Sequence, residues 1–203
     1  MATQKKSESF SPNDHPRALQ EERRRIRLLY SLGDFQLALS ACDFLYECDP
    51  QGQYSKIELR RFRCFETTLV IAYGRPFSQS EGGVPPLTLK MAKAQLTEPQ
   101  QALHRRLIRM RNKIIAHSDR EMMRMTAKTF DVPLDDDEEN GPKFVLIHSV
   151  FDEGITLLGD LLIDTNELLR KLYHSIYKTL SDQAQIDPSL FNMRLDHDHH
   201  KKD

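Results

Sequence analysis

Between Asp152 and Ser181 the residues Ile155, Leu158, Leu162, Leu169, Leu172, Ile176 and Leu180 stand three, four or seven positions apart. That period puts them along one side of a single helix. Such a helix, about 30 residues long, is held less by its own backbone than by the burial of its apolar stripe. The rest of the chain must therefore supply partners with matching stripes, and it does. From Pro16 to Leu32, Leu19, Ile26, Leu29 and Tyr30 lie on one side and Glu21 to Arg25 on the other. After Gly33-Asp34, which we read as a break, Phe35, Leu37, Ala38, Leu39, Ala41, Phe44 and Leu45 form a second apolar helix. It ends at Asp49-Pro50-Gln51-Gly52, where Pro and Gly oppose extension. A third spans about Tyr54 to Tyr73, with Ile57, Phe62, Phe65, Leu69 and Val70 as its buried side, and stops at Gly74-Arg75-Pro76-Phe77. Ser78 to Pro86 reads as a loop. At Thr97 an N-cap precedes Pro99 in the first turn and Gln100 three residues on, which opens a fourth helix.

Two further segments, Met122 to Val132 and Lys143 to Phe151, flank the acidic turn Asp135 to Gly141. The short branched run Phe144-Val145-Leu146-Ile147 favours strand, so we expect a β-hairpin over about 122–151. Nothing repeats at a fixed period. The expected fold is mainly α: an up-and-down helical bundle over residues 15–183, with the hairpin inserted before the last long helix. A disordered polar tail, residues 1–14, precedes it, and a polar tail, residues 184–203, follows.

Hydrophobic residues make up 39% of the chain and charged residues 29%, which suits a globular protein. The formal net charge is only −1, so affinity for a polyanion has to come from local clustering of Lys and Arg. Cys42, Cys48 and Cys64 form an odd set with no Cys-x-x-Cys pair, as expected of free thiols in a reducing compartment. The first residues carry no apolar signal-peptide core, and no later run approaches the ~18 apolar residues that cross a bilayer. A cytoplasmic protein off the membrane is expected. The acidic turn lacks the ligand spacing of an EF-hand. The tail Asp196-His197-Asp198-His199-His200 could hold a transition metal only weakly. No metal and no cofactor is expected.

The fourth helix differs from the others. At about 100° per residue, Leu103, Leu107, Met110 and Ile114 fall roughly 40° to 100° to one side of Arg111, and Ile108 and Ile115 roughly 40° to 60° to the other. Arg111 thus lies inside the apolar arc, where a permanent charge requires an acidic partner or a wet cleft. His117 lies about 120° away at the edge of the arc, and Ser118-Asp119 favour a helix end just beyond it. Histidine exchanges a proton near neutral pH, and arginine holds phosphate oxygens as charge grows on them. Asn112 can orient either group. Together they suit metal-independent transesterification of RNA, in which the ribose 2′-hydroxyl attacks the phosphodiester. Arg105, Arg106, Arg109 and Lys113 add a local field to hold the RNA backbone.

The segment Leu107-Ile108-Arg109-Met110-Arg111-Asn112-Lys113-Ile114-Ile115-Ala116-His117-Ser118-Asp119 resembles the signature of HEPN domains, an Arg followed by a polar residue and then a His after four to six positions. The resemblance extends over Pro16 to Ser181, and the motif is its specific part. Ala72 to Phe77 and Ala116 to Asp119 are also similar to a bacterial branch near the abortive-infection proteins. The resemblance implies a helical bundle that forms a homodimer, so that two motifs share one cleft. It implies Arg111, Asn112 and His117 as catalytic residues of an endoribonuclease in a toxin–antitoxin or phage-defence setting, with an antitoxin or defence protein as partner. Its alternative is a non-catalytic dimeric interaction or scaffold module. Where antitoxin-silenced members carry an AMP-accepting Tyr two positions after the His, this chain has Asp119, so adenylylation there is not implied.

Three residues stay open on sequence alone. Glu66 can either reach Arg111 across the helix pair or stand in solvent. Arg75 can cap a helix or touch RNA. His104 shares the face of Arg111 and is either a satisfied core residue or part of the cleft.

Overall fold

The computed structural model describes residues 14–80, 83–112, 124–131, 143–150 and 155–191. It is mainly helical. Helix α1 is Asp14–Leu45, α2 is Lys56–Gly74, α3 is Glu98–Met110 and α4 is Asp160–Ile186. α1 packs against α2 and α4, and α3 packs against the same two helices, which closes a ring of four. Strands β1, Arg124–Asp131, and β2, Lys143–Val150, pair antiparallel from Arg124 opposite Val150 to Asp131 opposite Lys143. The acidic turn expected between them lies outside the described residues. Among the described residues no helix is long and apolar enough to cross a membrane.

Phe35, Phe62, Tyr73, Leu107, Leu169 and Ile176 are among the side chains fully buried at the centre of the ring. The stripe expected on the last helix is buried at Leu162, Leu169, Leu172, Ile176 and Leu180.

Several expectations are corrected. The break expected at Gly33-Asp34 is absent, and α1 runs through it for 32 residues. A glycine inside a helix costs about 1 kcal/mol, whereas burying a side chain such as Leu28 or Phe35 on either side yields about 1.5–3 kcal/mol. Burial wins. The helix then ends at Leu45, earlier than expected, and the next residues are tied by side chains. Asp49 Oδ1 accepts the Gln51 N–H at 2.9 Å, and the Asp49 N–H donates to the Tyr54 hydroxyl at 2.6 Å. α2 starts at a capping box, Ser55 with Glu58, that the apolar pattern does not reveal. Ile57, expected in the core, is 78% exposed because it lies in the first turn, ahead of the contact with α1. In the loop after α2 the buried Arg27 of α1 donates from Nε to the Pro85 carbonyl at 2.7 Å and from Nη2 to Ser80 Oγ at 2.6 Å. Burial lowers the pKa of this guanidinium, an effect that Asp34 partly opposes.

The last helix was expected from Asp152 but starts at Asp160. Glu66 explains the difference. Its carboxylate is completely buried, and Oε1 accepts the N–H groups of Thr156 at 2.7 Å and Leu157 at 2.8 Å. Oε2 pairs with Arg63 one turn earlier. Those two amides are thereby held in an irregular segment, Leu157 is driven into the core, and the chain turns at Gly159, φ 55°, before α4 begins. At its other end α4 continues to Ile186, and a 3₁₀ turn, Pro188–Phe191, follows inside what was expected to be a polar tail.

Removing a buried carboxylate that is paired and hydrogen-bonded typically costs about 3–5 kcal/mol. Glu66→Ala is expected to lose that much in urea unfolding. Glu66→Gln keeps one acceptor for the two amides and is expected to lose less; equal stability of Glu66→Ala and parent would remove this contact from the account of the fold.

Candidate functional site

α3 opens on the capping box expected from the sequence. Thr97 Oγ1 accepts the Gln100 N–H, and the Gln100 side chain accepts the Thr97 N–H. Gln100 also accepts from Lys171 Nζ at 2.8 Å, which ties the start of α3 to α4. Leu103, Leu107 and Met110 are buried, and Ile108 is half-buried. The rotation of the helix is therefore the one the stripe implies as far as residue 112.

Arg111 is the C-cap of α3. Its N–H is shared between the carbonyls of Ile108 and Leu107, and Arg111 and Asn112 enter a wider, π-type turn. Such turns favour functional positions in helices. The arginine is half-buried, and its stem lies in a notch on α2. An added Cβ at Gly74 would stand 2.7 Å from Arg111 Cγ and 3.1 Å from Arg111 Cβ. Gly74 has ordinary helical angles, φ −83° and ψ −19°, so the glycine serves close approach, not backbone freedom. Arg111 Nη1 donates to Asn112 Oδ1 at 2.9 Å. Its Nε is buried and has no hydrogen-bond partner among the described residues. Glu66 does not provide one. The contact considered between them is replaced by the bonds of Glu66 to Arg63, Thr156 and Leu157, because the carboxylate points towards the segment before α4.

Arg105, Arg106 and Arg109 are exposed on α3, and none takes part in an ion pair among the described residues. Two of the expected site residues, Lys113 and His117, lie outside the described residues. His104, two turns before Arg111 on the same face, is half-buried. Its Nδ1 lies 2.7 Å from the Tyr73 hydroxyl, and its ring meets Phe77 edge-on at 4.7 Å. Phe35 and Phe77 flank Tyr73 with ring centres at 6.0 and 5.7 Å. Burial raises the Tyr73 pKa. It also lowers that of His104, with Arg105 acting in the same direction. The hydrogen bond between the Tyr73 hydroxyl and the imidazole makes His104 an element that orients α3. Arg75 donates from Nη1 to Asp34 at 2.7 Å, so it fastens the end of α2 to α1. Burial raises the Asp34 pKa in spite of Arg75.

Sequence reasoning passed over Gly74 as a helix stop; its other signal was the unusual wording of Ala72 to Phe77. Burial, with help from Asp43, pushes the Cys42 thiol up to about 12, and burial also raises that of Cys48. No group of three His, Cys, Asp or Glu stands together among the described residues. Comparison with family models, with curated proteins and with solved structures found no match for the chain.

Two outcomes follow from this geometry. Gly74→Ala is expected to destabilise the protein in thermal melts, because the added methyl meets the Arg111 stem. In an Arg111→Ala background the same change is expected to stabilise by up to about 1 kcal/mol, the ordinary advantage of Ala over Gly in a helix. A cycle without this change of sign would mean the notch is not filled by Arg111. The second outcome concerns pH. His104 has a folded pKa below its ordinary 6.5, so below that value the unfolded chain takes up a proton that the folded chain refuses. Stability should fall as pH drops from about 7 to about 5. His104→Gln, which keeps an acceptor for Tyr73 but does not titrate, should flatten this part of the profile; an unchanged slope would assign it to other groups.

Proposed function

We propose that this chain is a metal-independent endoribonuclease of the HEPN type, acting in a toxin–antitoxin or phage-defence context, with Arg111, Asn112 and His117 as its catalytic residues. The observation that carries the reading is the state of Arg111. It is a half-buried guanidinium seated in a glycine notch, held on one side by Asn112 and left with an unpaired buried Nε among the described residues. A charge in that condition is poised for an oxyanion, and a phosphodiester in its transition state is one. In this scheme His117 moves the proton from the ribose 2′-hydroxyl or to the leaving 5′-oxygen. The exposed Arg105, Arg106 and Arg109, with Lys113, hold the backbone of the RNA. The bundle is of the HEPN-like up-and-down kind, β1 and β2 form the hairpin inserted in it, and two copies of the chain face each other so that two motifs line one cleft.

The purified protein is expected to be a dimer by light scattering and to cleave single-stranded RNA in the presence of a chelator, leaving a 2′,3′-cyclic phosphate. Loss of an acid–base group or of a charge-stabilising donor should each cost on the order of 10²–10⁴ in rate. Arg111→Ala and His117→Ala should therefore each fall below detection with an unchanged melt, and RNA carrying 2′-O-methyl groups should resist. Cleavage that survives His117→Ala would assign the activity elsewhere. A folded dimer that is inert on varied RNAs but binds a partner protein tightly would favour a non-catalytic scaffold module.

A further inference from the structure

Arg25 Nε and Gln183 Oε1 are both buried and both without a hydrogen-bond partner among the described residues, and the two residues line the same cleft, about 380 Å³ in volume. The cleft lies between the first half of α1, the turn at residues 88–94 and the C-terminal end of α4. It shares no lining residue with the notch that holds Arg111. Arg24 and Lys93 bring two more cations to it, while Leu28 and Met91 give it apolar wall. One acidic residue, Glu21, also lines it, and its carboxylate is engaged by Arg17 at 3.4 Å on the exposed side of α1.

Arg24 and Lys93 are exposed, and Arg25 is held in place. The Arg25 guanidinium donates from Nη1 to the Leu190 carbonyl at 3.4 Å and lies over the Phe191 ring, 5.8 Å from its centre. That fixes its plane and leaves Nε over. Lys93 has φ 51°, the one positive value at a non-glycine residue among those described. The turn around it closes with Ala94 N–H on the Leu89 carbonyl and Ala92 N–H on the Thr88 carbonyl, an arrangement in which glycine is the usual occupant of the left-handed position. Residues held in this conformation cluster at ligand-binding and switch regions.

We infer that this cleft binds a small phosphate monoester with a polar organic group, of the nucleoside monophosphate class. Arg24, Arg25 and Lys93 take the phosphate oxygens, and Gln183 Oε1 accepts an N–H or O–H from the remainder of the same ligand. The two orphaned atoms set this choice. Nε requires an acceptor, and three cations make that acceptor anionic; Oε1 requires a donor, which the dianionic phosphate group of a monoester lacks. The volume lies in the range of small-ligand sites, about 300–1,000 Å³.

The test is calorimetric titration of the full chain with each of the ribonucleoside 5′-monophosphates, with inorganic phosphate, with the uncharged nucleosides and with a single-stranded oligoribonucleotide. At least one monophosphate is expected to bind about tenfold more tightly than inorganic phosphate, and its nucleoside not measurably. Arg25→Lys, which keeps the charge but removes Nε, should weaken the monophosphate by about tenfold. Gln183→Met should weaken the monophosphate by a larger factor than it weakens inorganic phosphate. Lys93→Gly should weaken binding and raise the melting temperature, because it removes strain and charge together. Failure of every monophosphate to bind at millimolar concentration would overturn the inference. So would unchanged affinity in an Arg25→Lys protein that melts like the parent, or an oligoribonucleotide that binds more tightly than any monomer through these same residues.

Discussion

Glu66 is a carboxylate with no exposed surface in a core built mainly of apolar side chains. A charge there is tolerable only if its oxygens are fully engaged, and the engagement reaches from α2 to the residues before α4. Two consecutive amides, those of Thr156 and Leu157, converge on one oxygen, and Arg63 meets the other. The contact decides where α4 begins and brings Leu157 into the core. It also orients the face of α2 that carries Phe62, Leu69 and Tyr73, one turn or more on either side of Glu66, and so it bears on everything packed against that face.

From this the position of α3 follows. The aromatic group of Phe35, Tyr73 and Phe77 receives His104, and the hydroxyl of Tyr73 gives that imidazole a fixed partner. Two turns later the same face of α3 arrives at the end of α2, where Gly74 leaves room for the stem of Arg111. A guanidinium is carried into a half-buried position by apolar packing along the rest of the helix, with no acidic partner among the described residues. The result is a cation with spare hydrogen-bonding capacity at the end of α3.

Satisfied polar groups are the rule inside proteins, and departures from it tend to mark sites where something else binds. The buried side-chain atoms without partners among the described residues are Arg25 Nε, Arg111 Nε and Gln183 Oε1. They fall in two places, the end of α3 and the cleft beside Lys93, and each place gathers several cations although the chain as a whole is almost neutral. The low net charge therefore hides two local basic regions built from different elements.

Residue types and spacing alone determined that the chain is mainly helical and that α3 starts at Thr97 with its capping box. They also placed Leu103, Leu107 and Met110 inward, with Arg111 among them. These are local properties: a cap needs residues three apart, and a stripe needs a period. The tertiary structure decided the rest. Gly33 does not break α1, because Leu28 and Phe35 find partners on both sides of it. Glu66 turns away from Arg111 towards Thr156 and Leu157, and Gly74 proves to be a notch as well as a helix end. The buried Arg27 closes the loop after α2, and Arg25 and Gln183, far apart in sequence, line one cleft. Each depends on how one helix is rotated and shifted against another. That is set by the summed packing of many side chains far apart in sequence, and a single helical pattern carries no record of it.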